Sequence, residues 1–104
     1  MNIIWTNPAI DELGKTIRYI TNNYGNKSVA KFNRQLAKSI KMISNNPQSA
    51  PKELLLENEE EEFRSIVINR LNKLVYYIDN NTLYIADIWD CRRAPKNLTN
   101  RIKK

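Results

Sequence analysis

The chain has no histidine among its 104 residues and a single cysteine, Cys91. The first absence removes histidine-based triads, histidine metal sites and imidazole acid–base chemistry together. The second excludes an internal disulfide, in keeping with a reducing compartment. No apolar run approaches the ~18 residues that a membrane span requires. The start, Met1-Asn2-Ile3-Ile4-Trp5, has no charged region followed by a long apolar stretch, so no secretory signal is visible and a cytoplasmic location is expected. No metal, cofactor, small-molecule ligand or membrane contact is expected either. Any catalysis must draw on Lys, Arg, Tyr or carboxylates.

What is present is one domain spanning residues 1–104, with 41% hydrophobic and 27% charged residues, the proportions of an ordinary globular protein. The net charge of +6 is unevenly spread. Residues 1–51 carry seven Lys/Arg against Asp11 and Glu12, for +5. Residues 52–62 set Lys52 against six glutamates, for −5, and residues 63–104 set nine Lys/Arg against three aspartates, for +6. Two basic flanks around an acidic segment point to a nucleic-acid or acidic-protein partner, or to solubility alone.

Residues 2–6 read as a short strand. Asn7-Pro8 then opens a helix, with Asn7 as its cap, Pro8 in its first turn and Asp11 and Glu12 near the positive end of its dipole. Ile10, Leu13, Ile17, Ile20 and Tyr24 follow at spacings of three and four, and Gly25 ends the helix with a left-handed residue. A second helix begins at Asn26 or Lys27, so the two form an antiparallel hairpin. Its apolar stripe is Val29, Phe32, Leu36, Ile40 and Ile43. Lys27, Lys31, Arg34, Lys38 and Lys41 lie roughly 200° away around the helix, pointing out as a solvated face or as a site for phosphate or an acidic partner. Asn45-Asn46-Pro47 stops this helix. The run Glu57–Glu62 reads as a solvated loop rather than a catalytic carboxylate pair.

Three runs rich in β-branched and aromatic residues close the chain: 63–69, 73–79 and 82–90. The joint Asn80-Asn81 is two-residue hairpin chemistry, because Asn tolerates positive φ. Two tight joints imply an antiparallel meander, covered on one face by the helical hairpin. The expected fold is α+β, a two-layer β-α-α-β-β-β domain with the hairpin packed on a small antiparallel sheet.

That order, carried by "NPAIDELGKTIRYI", "FNRQLAKSIKMISNNP", "FRSIVINRLNKLVYYID" and "LYIADIWDCRRAP", resembles the RelE/ParE superfamily of bacterial type II toxin–antitoxin toxins. The resemblance spans nearly the whole chain. It implies a growth-inhibiting toxin neutralised by a cognate antitoxin, and it implies one of two targets. RelE-like members bind the ribosome and cleave mRNA; ParE-like members poison DNA gyrase by binding. Against the RelE-like pattern, Arg64, Lys73 and Arg93 fall on catalytic cationic positions. Ile66 falls where a second lysine is expected, and Thr99 near a C-terminal tyrosine. Tyr76, Tyr77 or Tyr84 are the other candidates for an aromatic. With a lysine and a tyrosine replaced, the resemblance leans toward a gyrase poison, whose target-binding residues would be Arg70, Arg92 and Arg93. Ribosome-dependent endoribonuclease is the alternative, and an inactive relative that only binds antitoxin or nucleic acid is a third. Trp5 and Trp89 are read as core or antitoxin-groove residues, and Cys91 as an inert small residue.

Overall fold

The computed structural model describes residues 1–92 and Ile102. Its elements run β1 (Asn2–Trp5), α1 (Asn7–Tyr24), α2 (Asn26–Asn45), a 3₁₀ turn (Leu54–Leu56), β2 (Arg64–Val67), β3 (Asn72–Asp79) and β4 (Thr82–Asp90). The four strands form one sheet in the order β1-β4-β3-β2. The C-terminal meander is antiparallel, as its short joints require. Strand β1 instead joins β4 in parallel, so the sheet is mixed rather than antiparallel throughout. A parallel partner needs a long connection, which the intervening helices and strands supply. Among the described residues no helix is long and apolar enough to cross a membrane.

The passage from β1 to α1 rests on Thr6 rather than on Asn7. Thr6 is extended (φ −70°, ψ 158°) and its hydroxyl accepts from the Ala9 N–H at 3.4 Å, capping the helix. The same hydroxyl donates to the Ile85 carbonyl at 2.9 Å, and the Thr6 N–H donates there as well, at 3.0 Å. One side chain thus caps the helix and ties it to the central strand, which Asn7, already helical, is not placed to do. Asp11 and Glu12 lie beyond the first turn, which contains no acidic residue. The apolar stripe of α1 is also shorter than its sequence spacing suggests. Ala9 is buried and Leu13, Ile17 and Ile20 pack on the core, while Ile10 and Tyr24 at its ends are exposed.

Gly25 joins the helices in a single residue. Its N–H closes α1 on the carbonyls of Ile20 and Thr21, both at 3.1 Å. Its φ of 87° and ψ of −178° lie in a region open essentially to glycine alone, beyond the ordinary left-handed helix well. The second tight joint behaves as the sequence implies: Asn80 and Asn81 both take positive φ, 48° and 59°.

The sheet is covered on both faces. On the helix side, Phe32, Leu36 and Ile43 pack on Leu74, Tyr76, Leu83, Ile85 and Ile88, with Trp5 at the margin. On the other side, Leu56 and Phe63 from the 53–63 segment close over Val75, Ala86 and Trp89, joined by Ile102. A β-bulge reconciles the two faces: Tyr76 opposes Ile85 and Val75 opposes Asp87, leaving Ala86 as the extra residue. The bulge resets the alternation, so that Leu83, Ile85 and Ile88 can all serve the helix-side core. This explains the nearly continuous apolar character of the last strand.

The two glycines should respond in opposite senses. A Cβ at Gly25 would meet nothing within 4 Å, so the penalty of Gly25→Ala is purely one of backbone conformation. Chemical denaturation should show a loss of about 1–3 kcal/mol. Gly14→Ala, mid-helix and touching only the Arg18 guanidinium at 3.4 Å, should gain up to about 1 kcal/mol.

Candidate functional site: a groove between the helical hairpin and the sheet

The cations singled out for catalysis do not converge. Residues directly opposite in a ladder share a face of the sheet. Arg64 opposes Tyr76, a residue of the helix-side core, while Lys73 opposes Val67 and Trp89 on the other face. Both side chains are also engaged in the fold. The Arg64 guanidinium donates to the carbonyls of Ala50 (2.6 Å) and Gln48 (3.3 Å) and to the Gln48 amide oxygen (3.2 Å). It clamps the chain leaving α2 against β2, with its side chain only 14% exposed. Ile66, opposite Leu74, packs against the helix-side core rather than facing an open surface. Arg93 and Thr99 lie outside the described residues.

Lys73 makes a hydrogen-bonded ion pair with Glu53, the two side chains 18% and 6% exposed. The Leu55 N–H also donates to Glu53, at 3.1 Å. Burial alone would push the Glu53 carboxyl up, but the Lys73 hydrogen bond, aided by the Leu55 N–H and the ammonium charge, holds it below its ordinary value. In the sequence Glu53 enters only as one of the six glutamates of residues 52–62. The signal that sets it apart is Leu54-Leu55-Leu56, whose last residue is buried and draws the start of the acidic segment onto the sheet. The solvated-loop expectation holds best for residues such as Glu62, which pairs at the surface with Lys52 at 2.8 Å.

The tyrosines offer no general acid beside these cations. Tyr76 is buried and donates to the Pro47 carbonyl at 2.7 Å, and its burial raises the phenol above its ordinary value. Tyr77 and Tyr84 stack on each other with ring centres 5.0 Å apart. Trp89 is core, 2% exposed. Cys91 is exposed and unbridged.

Arg70 and Arg92, by contrast, are brought together. They line one groove of about 890 Å³ between α1, α2, the β2–β3 turn and the end of β4. Asn69 builds the turn that presents Arg70, its side-chain oxygen accepting from the N–H groups of Leu71 (2.9 Å) and Asn72 (3.0 Å). The Cys91 N–H donates to the Leu71 carbonyl at 2.8 Å and holds the end of β4 against that turn. Arg92 is chelated by Asp90, with contacts of 3.0 and 2.7 Å, and its guanidinium sits 5.8 Å from the Tyr19 ring centre. Tyr19 and Tyr24 meet edge to face at 6.3 Å on the groove wall, and both are exposed. Lys15 and Lys31 add positive charge from the two helices, and Leu71 adds exposed apolar surface. Exposed aromatics interleaved with arginines make a surface suited to a protein partner, since such residues dominate binding energy at protein interfaces.

A helical hairpin on a four-stranded mixed sheet is the architecture of RelE/ParE-like toxins. The family described as ParE toxin of type II toxin-antitoxin system, parDE, matches residues 3–95, and this chain belongs to it. No curated protein matches. Solved structures do. A chain of the chromosomal ParDE TA system from P. aeruginosa superposes with a TM-score of 0.70 at 15% identity, covering 86% of this chain and 95% of that one. The YoeB dimer from Staphylococcus aureus gives 0.59 at 23% identity, covering 84% and 92%. The heterotetrameric YoeB-YefM toxin-antitoxin complex from the same organism gives 0.52 at 22%, covering 84% and 92%. At these identities the likeness establishes the fold.

Because the carboxyl of Glu53 is lowered in the fold, its contribution to stability is complete above the unfolded value of about 4.5 and is lost as pH falls through the lower folded value. Glu53→Gln should therefore flatten the acid limb of a stability–pH profile. Lys73→Met should destabilise by about 3 kcal/mol at pH 7, because it strands a buried carboxylate. The double variant Glu53→Gln/Lys73→Met should recover most of that loss in denaturant titrations.

Proposed function

We propose that this toxin inhibits growth by binding DNA gyrase through the groove that holds Arg70 and Arg92, without catalysis of its own, and that a cognate antitoxin neutralises it by covering the same groove. One observation carries the reading. Arg64 and Lys73, two of the three cations a RelE-like nuclease would use, stand on opposite faces of the sheet and each anchors a neighbouring segment. Stabilising the phosphorane of RNA cleavage needs donors preorganised around one point. Two cations separated by the sheet do not meet that need.

The second face of the sheet adds to the argument. A phosphate backbone approaching Lys73 would meet Glu53 already in place, on the sheet face that also carries Glu59, Glu60 and Glu61. The groove on the helix side has the opposite character, with four cations against Glu12 and Asp90, and exposed tyrosines. An antitoxin segment that fills it would place apolar side chains on Tyr19, Tyr24 and Leu71 and carboxylates near Lys15, Lys31 and Arg70. The YoeB-YefM complex is an example of a protein of this fold in a toxin–antitoxin assembly.

The test is induction without antitoxin, followed by mapping of mRNA 5′ ends and by a supercoiling assay with purified gyrase. Blocked supercoiling with intact mRNA is expected, and the double variant Arg70→Ala/Arg92→Ala should weaken inhibition at least ~10-fold, as for loss of one or two interface arginines. Cleavage within translated codons, abolished by Arg93→Ala and accompanied by normal supercoiling, would overturn the reading in favour of the nuclease. Absence of growth arrest would mark an inactive relative.

A further inference from the structure

From residue 13 to residue 52 the chain contains no aspartate or glutamate, although it carries eight Lys/Arg there. Helix α2 concentrates this imbalance. Its twenty residues hold Lys27, Lys31, Arg34, Lys38 and Lys41 and no acidic residue. At about 100° per residue the five fall within an arc of about 80°, and at 1.5 Å per residue they extend over about 21 Å. All five are exposed, because Phe32, Leu36 and Ile43 take the opposite side of the helix into the core. None of the five makes an ion pair among the described residues.

Neighbours on this stripe stand three or four residues apart, so each adjacent pair repels across the helix surface. A face kept only for solubility would intersperse Glu with Lys, which favours the helix instead. The sequence does the reverse and collects its acidic residues elsewhere. Glu57–Glu62 lie between Leu56 and Phe63, which pack on the sheet face away from the helices. Among the described residues, the charge is therefore polarised through the thickness of the fold, with α2 on the positive side and the 57–62 segment on the negative side.

We propose that the outer face of α2 is a binding surface for the phosphate backbone of duplex DNA. Duplex DNA carries about one negative charge per 1.7 Å of axis, so a stripe of about 21 Å spans roughly six base pairs. Five long cationic side chains can follow the phosphates of that stretch, and the acidic side of the molecule fixes which face turns toward the DNA. Contacts of this kind position a protein without reading base sequence. Lys31 also borders the groove, so DNA on α2 and a protein in the groove would be neighbours. The proposal stands apart from the gyrase reading, since DNA alone is its ligand.

The test is fluorescence anisotropy with the purified chain and a labelled 20-base-pair duplex of arbitrary sequence, from low to physiological salt. Engagement of four or five phosphates predicts a slope of log K against log salt of about −4. The variant Arg34→Gln/Lys38→Gln/Lys41→Gln avoids the groove and should reduce the slope by about 2–3 and weaken binding on the order of 30-fold or more at low salt. The single variant Lys38→Gln should reduce the slope by about 1, and circular dichroism reports whether each variant is folded. Glu59→Gln/Glu60→Gln/Glu61→Gln raises the net charge by three on the far side and should leave the slope unchanged. Equal slopes for the native chain and the α2 triple variant would overturn the proposal. So would shifts of equal size and opposite sign from the two triple variants, which would report net charge alone. Polyglutamate bound as tightly as the duplex, with the same salt dependence, would assign the stripe to an acidic protein instead.

Discussion

The structure depends on keeping β3 and β4 dry on both faces. Leu74, Tyr76, Leu83 and Ile85 look toward the helices, and Val75, Ala86 and Trp89 look the other way, each at most 5% exposed. A helical hairpin can cover only one side of so small a sheet. The second cover has to come from the connection between α2 and β2, and the short apolar run Leu54–Leu56 brings it there. Once that segment is seated, the placement of Glu53 beside Lys73 follows. The Arg64 clamp on Gln48 and Ala50 fixes where the segment starts, and the Phe63 carbonyl accepts from the Glu53 N–H at 2.8 Å where it returns. Residues 51–53 thereby also shield the outer edge of β2, which would otherwise present unpaired backbone groups.

The sequence was legible where one local rule acted without competition. The hairpin of α1 and α2, the Asn80-Asn81 turn and the bounds of β4 follow from periodicity and turn chemistry. It was less legible where two rules met. Asn7-Pro8 has the form of a helix start, yet the strand ends one residue before Thr6, and Thr6 can satisfy strand and helix at once. Ile10 and Tyr24 have helical spacing, but the sheet is too narrow to reach both ends of α1. Ile66 was read against the resemblance as a replaced lysine, but only cross-strand register shows that its side chain belongs to the core. Glu53 was hidden because it was counted only toward the charge of residues 52–62, and nothing in composition reveals which glutamate there sits beside a lysine twenty residues away.

The same register changes the meaning of the cations. In the linear chain Arg64, Arg70, Lys73 and Arg92 cluster around one meander and suggest one anion-binding surface. Folded, they divide three ways. Arg64 anchors the segment after α2, Lys73 anchors the acidic segment, and Arg70 and Arg92 alone meet in a groove. Charge density along a sequence therefore overstated the site, because alternate strand residues face opposite solvents. The two anchoring cations stabilise the cover that closes the second face. Lys73, by holding Glu53, fixes the start of the acidic segment against the sheet.

Setting apart the cations that anchor the fold leaves two exposed cationic surfaces of different character. The groove joins aromatic and cationic side chains in a concavity, which favours the dry, shaped contacts of a protein interface. The outer face of α2 is convex, lacks aromatics and carries charge in a row, which favours the wet, long-range attraction of a polyanion. These two chemistries differ in their salt dependence: burial of Tyr19 and Tyr24 persists at ionic strengths that screen exposed lysines beyond about 10 Å. A complex using both surfaces would form quickly through α2 and be held through the groove. Its rate of association would fall with salt more steeply than its rate of dissociation would rise.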